Sequence, residues 1–204
     1  MQGNKQQSLF RMAACSVAAF VLCFALAGTT HVAAGFADKK AYNKGYRALR
    51  KGDFHEAEKI FRELLGKDAH DVEARLGLSF ALLKQRNLQD AYDNAARVIM
   101  VNPLSARAHA LLGAAILGAG EFRLSVEEFR TALALDENEA LAVAGLAMVD
   151  FYENRMSLAL AGLRRAVSMD PDEPDFVFNL GQAAARSEKY KEAADSYERF
   201  LVIA

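Results

Sequence analysis

The apolar and polar positions of this chain repeat with a period of 34 residues from Asp38 to the C-terminus. Within one period, apolar residues recur at spacings of three and four, which is the pattern of an amphipathic helix, and this pattern occurs twice. Each period therefore predicts two helices. The five resulting repeats are residues 38–71, 72–105, 106–139, 140–173 and 174–204. Because a unit this short cannot bury its own apolar face, the repeats must stack as a solenoid.

Two columns of the repeat keep a characteristic size. The eighth column holds small residues, Gly45, Ser79, Gly113, Ala147 and Gly181. The twenty-fourth column is mostly bulky and holds Phe61, Ala95, Phe129, Leu163 and Tyr197. Small residues let the two helix axes approach to about 8–10 Å. Short breaks such as Lys51-Gly52-Asp53 separate the helices, because glycine and asparagine tolerate the left-handed backbone that closes a helix.

The fifth repeat carries the most specific motifs. Asn179-Leu180-Gly181 lies on its first helix, and Tyr190-Lys191-Glu192-Ala193 is followed by Tyr197 on its second. Together with the repeat length and a proline near the end of a repeat, these residues resemble the tetratricopeptide repeat family. The resemblance covers 38–204 and implies an all-α fold: a right-handed solenoid of five helix-turn-helix units that binds other proteins.

The first 37 residues have a different character. Met12 to Ala27 carry no charge and follow Lys5 and Arg11, which is the layout of a secretory signal. Signal peptidase could cleave after Ala27, Ala34 or Ala37. We therefore predict that residues 1–37 are a signal peptide and that the protein is periplasmic or exported. In the alternative, the segment stays uncleaved and anchors the protein in the inner membrane, with membrane contact only through residues 12–27.

Composition argues against several functions. Both cysteines, Cys15 and Cys23, lie in the N-terminal segment, so a processed chain would have no thiol chemistry. The net charge is −1, and a mildly acidic chain predicts no nucleic-acid partner. The four histidines show no ligand spacing, and no phosphate-binding loop occurs. We expect no catalytic residues, no metal and no cofactor, and hence no enzyme.

A partner-binding surface follows from the resemblance. In the family, first-helix positions 2, 5, 9, 12 and 13 line the concave face of the solenoid. In this chain those positions are largely apolar and aromatic, which suits an interface core. Some of them, such as Leu49 and Leu83, would pack between helices instead of facing a partner. The residues expected to bind a peptide or helix are Tyr42, Tyr46, Phe80, Arg107, Met148, Tyr152 and Phe178.

Two features depart from the pattern. Asp150 stands in a column that is otherwise apolar, so we expect it either to be paired, with Arg186 of the next repeat as a candidate partner, or to turn toward solvent. The chain ends on the apolar run 200–204. These residues either fold back on their own repeat or leave an edge for self-association through the C-terminal helix.

The sequence therefore predicts a non-enzymatic scaffold that binds a protein or peptide partner in the bacterial cell envelope. The expected role is assembly of an envelope complex, such as a pilus, a secretion system, the outer membrane or the cell wall. The alternative is a chaperone that shields an apolar segment of a secretion substrate.

Overall fold

A computed structural model describes residues 39–204, and this part of the chain contains ten α-helices and no strand. The chain divides after Leu104 into two compact halves. The first half holds α1 (Lys39–Arg50), α2 (Phe54–Lys67), α3 (Val72–Lys84) and α4 (Leu88–Val101). The second half holds α5 (Ala106–Gly118), α6 (Phe122–Leu135), α7 (Ala140–Tyr152), α8 (Met156–Met169), α9 (Pro174–Arg186) and α10 (Tyr190–Ile203).

One helix pair falls in each predicted repeat, so the all-α fold of paired helices is confirmed. The predicted signal peptide or anchor, residues 1–37, lies outside the described residues, and the domain boundary stays a prediction. From residue 39 onward, no helix combines the length and the apolar character needed to cross a membrane.

A left-handed residue closes the first helix of every repeat, always in the fifteenth column. The five residues are Gly52, Arg86, Gly120, Asn154 and Glu188, with φ of 71°, 63°, 86°, 62° and 57°. Glycine and asparagine were expected at these breaks, but two repeats place a long charged side chain there. The left-handed conformation costs an L-residue roughly 1–2 kcal/mol of conformational free energy, a cost that glycine does not have.

Glu188→Gly is expected to raise the free energy of unfolding by about 0.5–1 kcal/mol, because relief of the left-handed strain exceeds the extra chain entropy of glycine. Urea unfolding followed by circular dichroism measures the change. Glu198→Gly is the matched control, since Glu198 lies inside α10, where glycine costs about 1 kcal/mol. Destabilisation by both changes would mean that the fifteenth column carries no strain.

Aromatic rings join consecutive repeats within each half. The Phe61 ring packs against Gly45 of its own repeat and Gly77 of the next, and Phe129 packs in the same way against Gly113 and Gly145. Both rings are fully buried. A Cβ on Gly45 or Gly113 would lie 2.8 Å from the ring, and one on Gly77 or Gly145 would overlap it. The glycines are therefore required by close approach.

Candidate functional site

In the first half, Tyr42 and Tyr46 lie one turn apart on α1, and both are half-buried. Their hydroxyl groups donate hydrogen bonds to the carboxylates of Asp71 and Glu73, which lie at the start of α3. Burial, followed by the hydrogen bond to Asp71, raises the pKa of Tyr42. The two side chains were expected to bind a partner, but their hydroxyl groups link α1 to the start of α3.

Phe80 of α3 is also half-buried. The ammonium group of Lys84, one turn further along the helix, lies 5.1 Å from the centre of the Phe80 ring. A cation at this distance interacts favourably with the face of the ring. Phe80 therefore offers a partner only one part of its surface.

In the second half, Arg107 forms an ion pair with Glu139, at 2.8 Å between Nη1 and Oε1. Glu139 also caps the N-terminus of α7 by accepting a hydrogen bond from the backbone N–H of Leu141. The pair thus joins α5 to the N-terminus of α7. A partner that recruited Arg107 would have to compete with a carboxylate already in place.

Met148 and Tyr152 lie one turn apart on α7. Met148 packs against the buried cluster of the fourth and fifth repeats, whereas Tyr152 is 54% exposed. The Tyr152 ring stacks on Phe122 of α6, with 5.4 Å between ring centres and 7° between ring planes. It also meets Phe151 edge-on at 5.7 Å. Tyr152 is therefore an exposed aromatic side chain whose orientation is fixed from two sides.

Phe178 belongs to an aromatic cluster with α10 that the sequence did not reveal. Its ring centre lies 5.8 Å from that of Tyr197 and 5.1 Å from that of Phe200. Leu201 and Val202 beyond this cluster are strongly exposed. Phe200 thus folds back on its repeat, while the next two residues form an apolar edge. Self-association through α10 stays a prediction, which sedimentation of a Leu201→Ser variant against the wild type would test.

Asp150 has one of its two expected environments, an ion pair, although its partner is not the one suggested by the sequence. It pairs with Arg155 in the turn after α7, at 2.7 Å between Nη2 and Oδ1. Arg186, the expected partner, instead lies over the Phe151 ring at 4.6 Å. Arg155 is five residues further along the chain and reaches Asp150 across the turn. Asp150 therefore forms a local ion pair that links the end of α7 to the turn that follows it.

Groups with catalytic or metal-binding potential are sparse in the described part of the chain. His109 Nδ1 lies 2.8 Å from Glu128 Oε2 and joins the two helices of the third repeat. Residues 39–204 contain no group of three His, Cys, Asp or Glu that could hold a metal ion. The predictions of no enzyme, no metal and no cofactor rest on the sequence and stay predictions.

Two family models, both described as tetratricopeptide repeat, match residues 48–115 and 144–204 and together span more than half of the chain. A curated relative, the type IV pilus assembly protein PilF of Pseudomonas aeruginosa, is 28% identical over 139 residues, which are 67% of this chain and 54% of the relative. The chain thus spans about half the length of that relative.

Solved structures show the same fold at low identity. A thermophilic tetratricopeptide repeat protein of Thermus thermophilus has a TM-score of 0.68 and 19% identity, covering 81% of this chain and 90% of that one. The structure of Pseudomonas aeruginosa PilF has a TM-score of 0.56 and 14% identity, with 81% and 75% coverage. At these identities the structural likeness concerns the fold alone.

Proposed function

The chain belongs to the tetratricopeptide repeat family of protein-binding scaffolds, and we propose that it binds a helix or extended peptide of a partner protein through an apolar groove. Within each half of the chain, the first-helix side chains named above are the residues proposed to contact the partner. The proposed role is assembly of an envelope complex, which the similarity to a pilus assembly protein and the predicted export segment support. The similarity covers part of that relative, so the role is a proposal for this chain.

The exposure and fixed orientation of the Tyr152 ring are the main support for the proposed binding function. An exposed aromatic ring that is already fixed by its neighbours buries a large area on binding and loses little conformational freedom. Residues of this kind dominate the affinity of many interfaces. Tyr42 and Tyr46 have part of their surface committed to intramolecular contacts, so we expect them to contribute less than Tyr152 does.

Tyr152→Ala is expected to lower partner binding by about tenfold or more, since it removes an anchoring ring. The measurement is affinity capture from envelope extract with quantitative mass spectrometry. Tyr190→Ala is the matched control, because Tyr190 is an exposed tyrosine at the start of α10. Equal recovery of every captured protein with both variants and the wild type would contradict the groove assignment.

The chaperone alternative predicts a different location and a different client. A chaperone acting before export would keep an intact N-terminus in the cytoplasm. Cell fractionation with N-terminal sequencing therefore separates the two functions, and an intact cytosolic chain would contradict export.

A further inference from the structure

A cavity of about 440 Å³ lies at one end of the second repeat, within the first half of the chain. The loop before α3, the first turn of α3 and the last turns of α4 surround it. Its walls combine cationic and apolar side chains and include no carboxylate. The residues that matter are His70, Val72, Arg75, Arg97, Met100 and Val101.

Arg75 brings a half-buried positive charge to this cavity. Its guanidinium donates hydrogen bonds to the Asn94 side chain, at 3.3 Å, and to the carbonyl of Ala69, and both acceptors are neutral. Burial, followed by the charge of Arg97, lowers the pKa of Arg75. Asp71 acts in the opposite direction, but it also accepts hydrogen bonds from Tyr42 and from the Ala74 backbone. An anion between the two arginines would relieve both unfavourable effects.

Arg97 does not make the hydrogen bond to the preceding loop that arginines in its column make in other repeats. The arginines in the same column of the fourth and fifth repeats, Arg165 and Arg199, donate to the carbonyls of Glu137 and Pro171 in the preceding loop, at 2.7 and 2.6 Å. In the loop that precedes the second repeat, the carbonyl in the matching position belongs to Ala69, and it already accepts a hydrogen bond from Arg75. Arg97 is exposed and is left to face the cavity.

Three large apolar side chains are exposed at the end of α4 and just after it. Met100, Val101 and Leu104 are 66%, 62% and 73% exposed. The column of Met100 holds Gly66, Ala134, Ser168 and Val202 in the other repeats, and that of Leu104 holds His70, Asn138 and Asp172. Among the repeats that contain both columns, the second is therefore the one with large apolar residues in both. Large apolar side chains exposed to water beside cations are typical of a surface that enters the interface of a membrane.

The net charge of the first half also favours contact with an anionic membrane. Residues 39–104 carry 13 Lys and Arg against 9 Asp and Glu, a net charge of +4. Residues 105–204 carry 10 against 16, a net charge of −6. The basic half therefore favours an anionic membrane surface, to which each cation close to the lipid contributes about 1 kcal/mol.

We propose that this edge of the second repeat docks on an anionic phospholipid surface, with a headgroup phosphate between Arg75 and Arg97 and with Met100, Val101 and Leu104 in the interface. The contact is additional to the one predicted for residues 12–27. It would set how the scaffold lies on the membrane and goes beyond partner binding, so it can fail independently of the proposed groove.

Hydrogen–deuterium exchange of the full chain tests the proposal, because it reports local protection even where the N-terminal segment binds lipid. The probes are vesicles of phosphatidylcholine mixed with phosphatidylglycerol, and vesicles of phosphatidylcholine alone. Peptides covering residues 68–75 and 97–104 should be protected by the mixed vesicles only. Arg97→Gln should reduce this difference, corresponding to about fivefold weaker local binding.

Arg62→Gln is the matched control, since it removes the same charge from an exposed site on α2 and should leave the protection in place. Met100→Ser should reduce the protection although the charge is unchanged. Circular dichroism verifies that each variant is folded. Equal protection by both vesicles, protection by neither, or an Arg97→Gln variant that behaves like Arg62→Gln would overturn the proposal.

Discussion

Replacing Phe129 with alanine is expected to lower the free energy of unfolding by about 3–5 kcal/mol, the range for truncating a buried aromatic ring. The ring is fully buried and fills the space between Gly113 of the third repeat and Gly145 of the fourth. Its loss therefore leaves a cavity between repeats, where stacking supplies the stability that one unit lacks. Equilibrium unfolding in urea, followed by circular dichroism, measures the effect.

Phe200→Ala is the control for the Phe129 variant. Phe200 is half-buried and contacts Phe178, so its removal takes away less buried area and leaves no enclosed cavity. We expect a clearly smaller loss of stability. Similar losses for the two variants would show that the ring between the glycines does not hold the third and fourth repeats together.

The fold was predictable because its main determinants repeat in the sequence. The period placed every helix pair, and the eighth and twenty-fourth columns marked Gly113 as a small position and Phe129 as a bulky one, although their mutual contact was not predicted. Gly77 and Gly145 were not recognised, although each receives the ring of the preceding repeat. Their column also contains Asn43, Leu111 and Asn179, so no shared residue type marks it. The need for glycine at these positions depends on the size of the aromatic ring in the preceding repeat, which a single column of the sequence does not show.

The candidate site was less predictable because it depends on where each side chain finds a polar partner. Family positions placed Tyr42 and Tyr46 in a groove, but the hydroxyl contacts with Asp71 and Glu73 depend on residues about thirty positions away. The fixed orientation of Tyr152 depends on Phe122, which lies outside the family positions. A helical pattern gives the face on which a residue lies and not its contacts.

The proposed partner-binding residues and the proposed lipid-docking edge differ from the repeat pattern at different positions. The proposed partner-binding residues lie on first helices, and the most exposed of them, Tyr152, lies in the acidic second half. The lipid-docking edge is formed largely by the end of α4 in the basic first half. Repeats tolerate such specialisation because each one contacts only its neighbours, so a local change leaves distant repeats intact.

Gly145→Val is expected to lower the free energy of unfolding by about 3 kcal/mol, because even a Cβ at this position would overlap the buried Phe129 ring. Gly145→Ala should also destabilise, although alanine favours a helix by about 1 kcal/mol over glycine. Gly66→Ala is the control and should change the free energy of unfolding in the opposite direction. A Cβ on Gly66 of α2 would meet no neighbouring side chain within 4 Å, so this variant should gain about 0.5–1 kcal/mol.

A double-mutant cycle then separates crowding from any other effect of the substitution. If the Phe129 ring is what the new side chain meets, Gly145→Ala should cost less in a Phe129→Leu background, with a coupling energy of about 1–2 kcal/mol. Additive effects of the two substitutions would mean that the glycine is needed for some reason other than the ring.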